Sequence, residues 1–128
     1  MPPLPITSGL AVLAALGLVA LSLPVTARRF RAKVSLGEGG DALLQKRVRV
    51  QANFVEYVPL ALIVIGLAEG AAAPDWLLWT TAAMLVVGRI AHAIGMYLPT
   101  PNLPRAGGMI LTWSALVVAA MGLALTLV

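Results

Sequence analysis

The fold class this chain predicts is an all-α membrane protein, a bundle of four transmembrane helices. Three observations carry that prediction. Of its 128 residues, 60% are hydrophobic and only 11% charged, whereas a soluble domain carries about 25% charged residues. The mean hydropathy is +0.95. Four apolar stretches, over 6–27, 48–68, 76–98 and 106–128, each come close to the ~20 residues that cross a bilayer as a helix. Nearly every position inside them is apolar, so length rather than periodicity identifies them as helices. Together they make one four-helix domain over 1–128.

The first stretch has no basic region before it, is followed by an arginine run and is too long for a signal-peptide core. It therefore reads as a helix. Pro24 falls near its end, where it kinks the last turn, and Ala14, Gly17 and Ala20 allow close packing. The first loop and its flanks hold Arg28, Arg29, Arg31, Lys33, Lys46, Arg47 and Arg49 against only Glu38 and Asp41, and Gly37, Gly39 and Gly40 make it flexible. The second stretch opens on a polar string, Arg49, Gln51, Asn53, Glu56 and Tyr57, closed by Pro59. The second loop carries Glu69 and Asp75 and no base, and Trp76 and Trp79 after it suit an interfacial belt. The third stretch contains Arg89 and His92 with Tyr97 after them. A stiff loop over 99–104, with Pro99, Pro101 and Pro104, leads into Arg105 and the fourth stretch.

By the positive-inside rule, loops one and three are cytoplasmic, and loop two and both termini lie outside. The net charge of +4 is explained by this topology, so it does not argue for a nucleic-acid partner. There is no cysteine. A disulfide frame, a zinc cluster and a cysteine nucleophile are therefore excluded, and thiol chemistry requires a bound thiol. The single histidine and the few nearby carboxylates do not build a metal site.

Ionisable groups at membrane depth are costly and persist where they pair, line a cavity or do chemistry. Glu56 lies about nine residues into the second span from the cytoplasm, roughly 13 Å deep at 1.5 Å per residue, and Arg89 lies equally deep in the antiparallel third. An intramembrane Glu56–Arg89 ion pair is the expectation, with Asn53 and His92 one turn shallower. At 100° per residue, Arg49, Asn53 and Glu56 fall within about 60° of arc with Tyr57 at its edge, whereas Gln51 points to nearly the opposite side. Gln51 is therefore expected to meet a neighbouring subunit. Guanidinium groups bind carboxylates in bidentate fashion, Glu56 suits an ammonium group, and Asn53 and Gln51 suit peptide amides. An anionic, zwitterionic small peptide fits this set, and glutathione is the abundant cytosolic one. An arginine or tyrosine donor near its sulfur favours the thiolate, and the apolar walls admit lipophilic electrophiles.

The string Arg-Val-Gln-Ala-Asn-Phe-Val-Glu-Tyr-Val-Pro over 49–59 resembles the signature of the MAPEG family, the membrane-associated proteins in eicosanoid and glutathione metabolism. It is most similar to the branch of leukotriene synthase and microsomal glutathione transferase, here in a bacterial member. The run Ala27-Arg28-Arg29-Phe30-Arg31 resembles the end of the first helix in that branch. Arg89-Ile-Ala-His92 and Arg105 look more like the prostaglandin-synthase branch.

The resemblance implies a homotrimer with glutathione held between subunits on the cytosolic side. It implies glutathione contacts for Arg49, Asn53, Glu56 and Tyr57, for Gln51 from the adjoining subunit, for Arg28 or Arg29, and for His92, with Arg89 in the same set. Arg105 matches the arginine that stabilises the thiolate, and Tyr97 is the next donor. There are departures: Met96 stands where a tyrosine is expected one turn after His92, Ala106 where a serine often follows the thiolate arginine, and Met109 at a further polar position.

The expected function is a glutathione-dependent transferase or peroxidase of the bacterial inner membrane, acting on lipophilic electrophiles or lipid hydroperoxides, with glutathione as co-substrate, no metal, and membrane lipid around it. Two alternatives are a small multidrug-type proton-coupled exporter, which needs a free titrating carboxylate, and a MAPEG-fold protein that binds lipid or thiol without turnover.

Overall fold

The computed structural model describes residues 4–128. The chain folds into α1 (Pro5–Ala32), α2 (Ala42–Gly70), α3 (Asp75–Gly95) and α4 (Leu103–Leu125). All four are long and apolar enough to cross a membrane. Neighbours run antiparallel, so loops one and three share one end of the bundle, and loop two and the termini share the other.

Several helices outrun their apolar stretches. α2 begins six residues before 48, because the Asp41 side chain caps it by accepting the Leu44 N–H at 2.8 Å. α4 starts at Leu103, where Asn102 accepts the Arg105 N–H at 2.9 Å and Pro104 sits in the first turn. Pro104 thus belongs to the helix rather than to the loop, its missing N–H being one the first turn leaves free anyway. α3 ends at Gly95, which leaves Tyr97 beyond the helix.

Loop one is tied down rather than free. Arg28 grips Asp41 through Nε at 2.9 Å and Nη2 at 2.7 Å, and Arg29 donates to the Gly37 carbonyl at 2.8 Å. Gly37, Gly39 and Gly40 take positive φ, so they shape the turn instead of loosening it. The Arg28 guanidinium, and then the Leu44 N–H, hold the Asp41 carboxyl below the usual carboxylate range. A depressed folded value means the contact stabilises fully above the unfolded value of about 3.9 and is lost as pH falls through the folded one. Acidification below about pH 4 is expected to lower the hydrogen-exchange protection of the Leu44 amide relative to its intrinsic rate. Asp41→Ala, which removes the acceptor, should show low protection already at neutral pH.

At the opposite end α1 lacks a side-chain cap of its own, because Leu4 precedes Pro5. Glu69 at the end of α2 supplies one, its two oxygens accepting the N–H groups of Ile6 and Thr7, each at 2.8 Å. Glu69→Ala leaves both donors open and is expected to cost about 1–2 kcal/mol, read as loss of thermal stability in mild detergent.

The core is built from Ile6 and Leu10 of α1, Ala61 and Ile65 of α2, and small or branched residues of α3 and α4 such as Ala82, Leu85, Ala115 and Ala119. α3 and α4 make the most extensive contact, while α1 packs mainly on α2. Gly108, Thr112, Ala115, Ala119 and Gly122 form the buried face of α4, and this small-residue stripe lets two backbones approach. A Cβ on Gly108 would lie 2.5 Å from the His92 backbone nitrogen and 2.6 Å from the Gly88 carbonyl oxygen. Backbone cannot yield as a side chain does. Gly108→Ala is therefore expected to cost about 2 kcal/mol in a denaturation series, whereas Gly107→Ala, with open space around it, should be neutral.

Candidate functional site

The end of the bundle that carries loops one and three gathers the polar side chains. On α2, buried Val50, Val58, Ala61 and Ile65 mark the core face. Asn53 and Tyr57 flank that face, and Arg49 and Glu56 stand ~40–60° further round at 100° per residue. Arg89 of α3 is 8% exposed, and its guanidinium is met by neutral acceptors. Nη1 donates to Asn53 Oδ1 at 2.6 Å and to the Asn53 carbonyl at 3.3 Å. Nε donates to Thr112 Oγ1 at 3.1 Å, and Nη2 reaches Met109 Sδ at 3.4 Å. The Tyr57 ring centroid lies 5.8 Å from Arg89 Cζ, within the range of a cation–π contact.

The expected Glu56–Arg89 ion pair does not form. The two residues share a depth but not an azimuth. Asn53 and Tyr57 occupy the edge of the polar arc that turns toward α3, and Glu56 occupies the outer edge. Glu56 instead has Arg49 at 3.8 Å, with both side chains about half exposed, 50% and 55%.

His92 is buried against α4, 5% exposed, with the charges of Arg89 and Arg105 in electrostatic reach. Arg105 stands exposed in the first turn of α4. The start of that helix presses so closely on Gly95 that a Cβ there would run into the Arg105 backbone. Arg105 opens onto a cavity of about 500 Å³ that Met109, Asn102 and Thr100 also line. Met109 links the two parts, bordering the cavity of Arg105 while accepting from Arg89. Asn102 fixes the approach, donating to the Gly95 and Pro99 carbonyls at 2.9 and 3.1 Å. The result is a pocket mouth with one exposed cation, Arg105, joined through Met109 to a buried guanidinium.

The MAPEG family model matches residues 7–125. This chain belongs to the MAPEG family. Inner membrane protein YecN of Escherichia coli strain K12 is 35% identical to it over 106 residues, covering 83% of this chain and 80% of YecN. YecN of Escherichia coli O6:H1 strain CFT073 matches to the same extent. With an inner-membrane relative and four membrane-length helices, this MAPEG chain is an integral, multi-pass inner-membrane protein.

Within this MAPEG chain the remaining candidates fall in three places. Arg28 is occupied by Asp41 and Arg29 by the Gly37 carbonyl, so the fold does not bring either into the α2–α3 cluster. Gln51 turns to α1 of its own chain. Its Nε2 donates to Ser22 Oγ at 2.7 Å, and that hydroxyl donates in turn to the Leu18 carbonyl. The far side of α2 is the side on which α1 packs, and Arg47 binds there too, donating to the Pro24 carbonyl at 3.0 Å. Tyr97 lies just past α3, 47% exposed, at the same interface as Arg105. Thr112, which sequence reasoning passed over, anchors Arg89. Its signal is its place four residues after Gly108 on the small-residue face.

Proposed function

We propose that this chain is the subunit of a homotrimeric, glutathione-dependent transferase or peroxidase that acts on lipophilic electrophiles or lipid hydroperoxides, with both termini outside the cytoplasm. The observation that carries the reading is the charge balance at the loop-one end. Arg49, Arg89 and Arg105 stand at that end with His92, and of the carboxylates there Asp41 is taken by Arg28 and Glu56 has only Arg49 at 3.8 Å, which leaves a surplus of cations suited to a small anionic peptide. The half-exposed Arg49–Glu56 pair supports the trimer, because such a pair facing lipid is costly and a second subunit would cover it. Arg49 would hold a glutathione carboxylate, Glu56 its ammonium group, and Asn53 and Tyr57 its peptide.

Arg105 would stabilise the thiolate once the thiol has given its proton to water. In conjugation the sulfur attacks the electrophilic carbon and the leaving group departs. In the peroxidase reaction two glutathiones become the disulfide as the hydroperoxide is reduced to alcohol and water. An apolar cavity of about 210 Å³ between α1, α2 and α3, lined by residues such as Leu13, Phe54 and Val58 and reaching Arg89, suits a lipophilic partner.

A second reading, thiol or lipid binding without turnover, is favoured by Met109, whose sulfur already takes an Arg89 donor. The exporter alternative loses its free carboxylate, since Glu56 has Arg49 beside it. Thermal-shift titration of the purified protein with glutathione and its S-alkyl analogues tests binding. Saturation should stabilise by about 2.7 kcal/mol at one hundred times Kd. A flat response with every analogue contradicts the proposal.

A further inference from the structure

We infer that the end of α1 and the loop after it form a binding site for the headgroup of an anionic phospholipid. Residues 6–25 of α1 hold no charge, and twenty residues at 1.5 Å span about 30 Å, the thickness of the hydrocarbon layer. The helix nevertheless continues to Ala32, so its last two turns stand at headgroup level. There Thr26, Arg29 and Phe30, at i, i+3 and i+4, share one face, and Lys33 follows as the left-handed cap residue. With Val34 and Ser35 they line an open, largely apolar concavity of about 460 Å³.

The lining suits a phosphodiester. Arg29 uses an Nη1 donor on the Gly37 carbonyl and keeps the rest of its fork. The Lys33 ammonium has no hydrogen-bond partner among the described residues, and the Thr26 and Ser35 hydroxyls add two donors. No carboxylate lines the cavity. The nearby Asp41 is already neutralised by Arg28 at 2.7 Å. A helix C-terminus ordinarily disfavours an anion, but here the Arg29 and Phe30 carbonyls accept the Val34 and Lys33 N–H groups at 3.1 and 3.3 Å. Phe30, 81% exposed, offers an apolar platform where headgroup gives way to acyl chain. The positive-inside rule requires only that charge lie near the span. Two cations and two hydroxyls around one concavity go beyond that requirement.

The test uses full-length protein in mild detergent with phosphatidylglycerol and phosphatidylcholine in equal amounts, and native mass spectrometry to read the lipid retained. Wild type should retain phosphatidylglycerol selectively, and excess inorganic phosphate should not displace it. Each basic side chain near a membrane surface contributes roughly fivefold in affinity. Lys33→Gln, at an exposed position, should therefore weaken retention about fivefold and Arg29→Gln/Lys33→Gln about thirtyfold. Arg31→Gln/Lys46→Gln removes the same charge outside the cavity and should leave retention unchanged. Equal retention of the two lipids, equal losses in the two double variants, or displacement by inorganic phosphate would each overturn the site.

Discussion

Asn53→Ala is expected to destabilise the protein by about 3 kcal/mol, the upper range for a hydrogen bond to a charged group. Adding Arg89→Met is expected to restore part of that loss. Arg89 is 8% exposed and has no carboxylate partner among the described residues, so its charge is held by neutral oxygens. The shortest contact is Asn53 Oδ1 at 2.6 Å. Removing it strips the guanidinium of its main acceptor at a depth where water is scarce, while the Asn53 carbonyl at 3.3 Å and the Thr112 hydroxyl at 3.1 Å do not replace it. Removing the cation as well removes the group that suffers, because a buried polar pair replaced by apolar side chains costs less than a pair broken in half. A denaturation series in mild detergent on wild type, both single variants and the double variant measures the coupling. Additive losses would show that Asn53 does not hold Arg89.

Arg105→Ala is expected to lower turnover of a model electrophile by about 10²–10³-fold, the effect of removing one donor from a developing anion, while glutathione binding stays within about tenfold. Arg105 stands in the first turn of α4, where the helix N-terminus adds its own positive potential, and the Asn102 cap and the Gly95 contact hold that turn in place. Arg49→Ala should do the reverse. Its half-exposed guanidinium beside Glu56 is placed to hold a carboxylate, so binding should weaken and turnover of the bound complex should change little. Turnover and binding measured across pH in wild type and both variants separate the two roles. Undiminished turnover in Arg105→Ala would move the role to Tyr97, which is exposed at the same interface.

The four helices were legible because lipid demands length and apolarity, and both are visible in sequence. Their ends were less so. Lys46 and Arg47 read as loop, yet the Asp41 cap carries helix through them into the interface. The polar residues were legible as a set and not as pairs. Depth along a helix follows from counting, but the partner also depends on azimuth, which is fixed by how helices pack. That is why Arg89 meets Asn53 rather than Glu56, and why Gln51 meets Ser22 of α1. Glu69 read only as an outer-loop charge. Its role depends on α1 beginning Leu4-Pro5 with no side-chain cap, a deficit visible in sequence whose remedy, 63 residues away, was not.

The deciding measurement is the ultraviolet thiolate band of glutathione titrated against the purified protein at neutral pH, with S-methylglutathione as the control that cannot form a thiolate. A saturable band is expected with glutathione, none with the control, and a weaker, right-shifted curve in Arg49→Ala. Glutathione that neither ionises nor stabilises the protein at any concentration would contradict the proposed function.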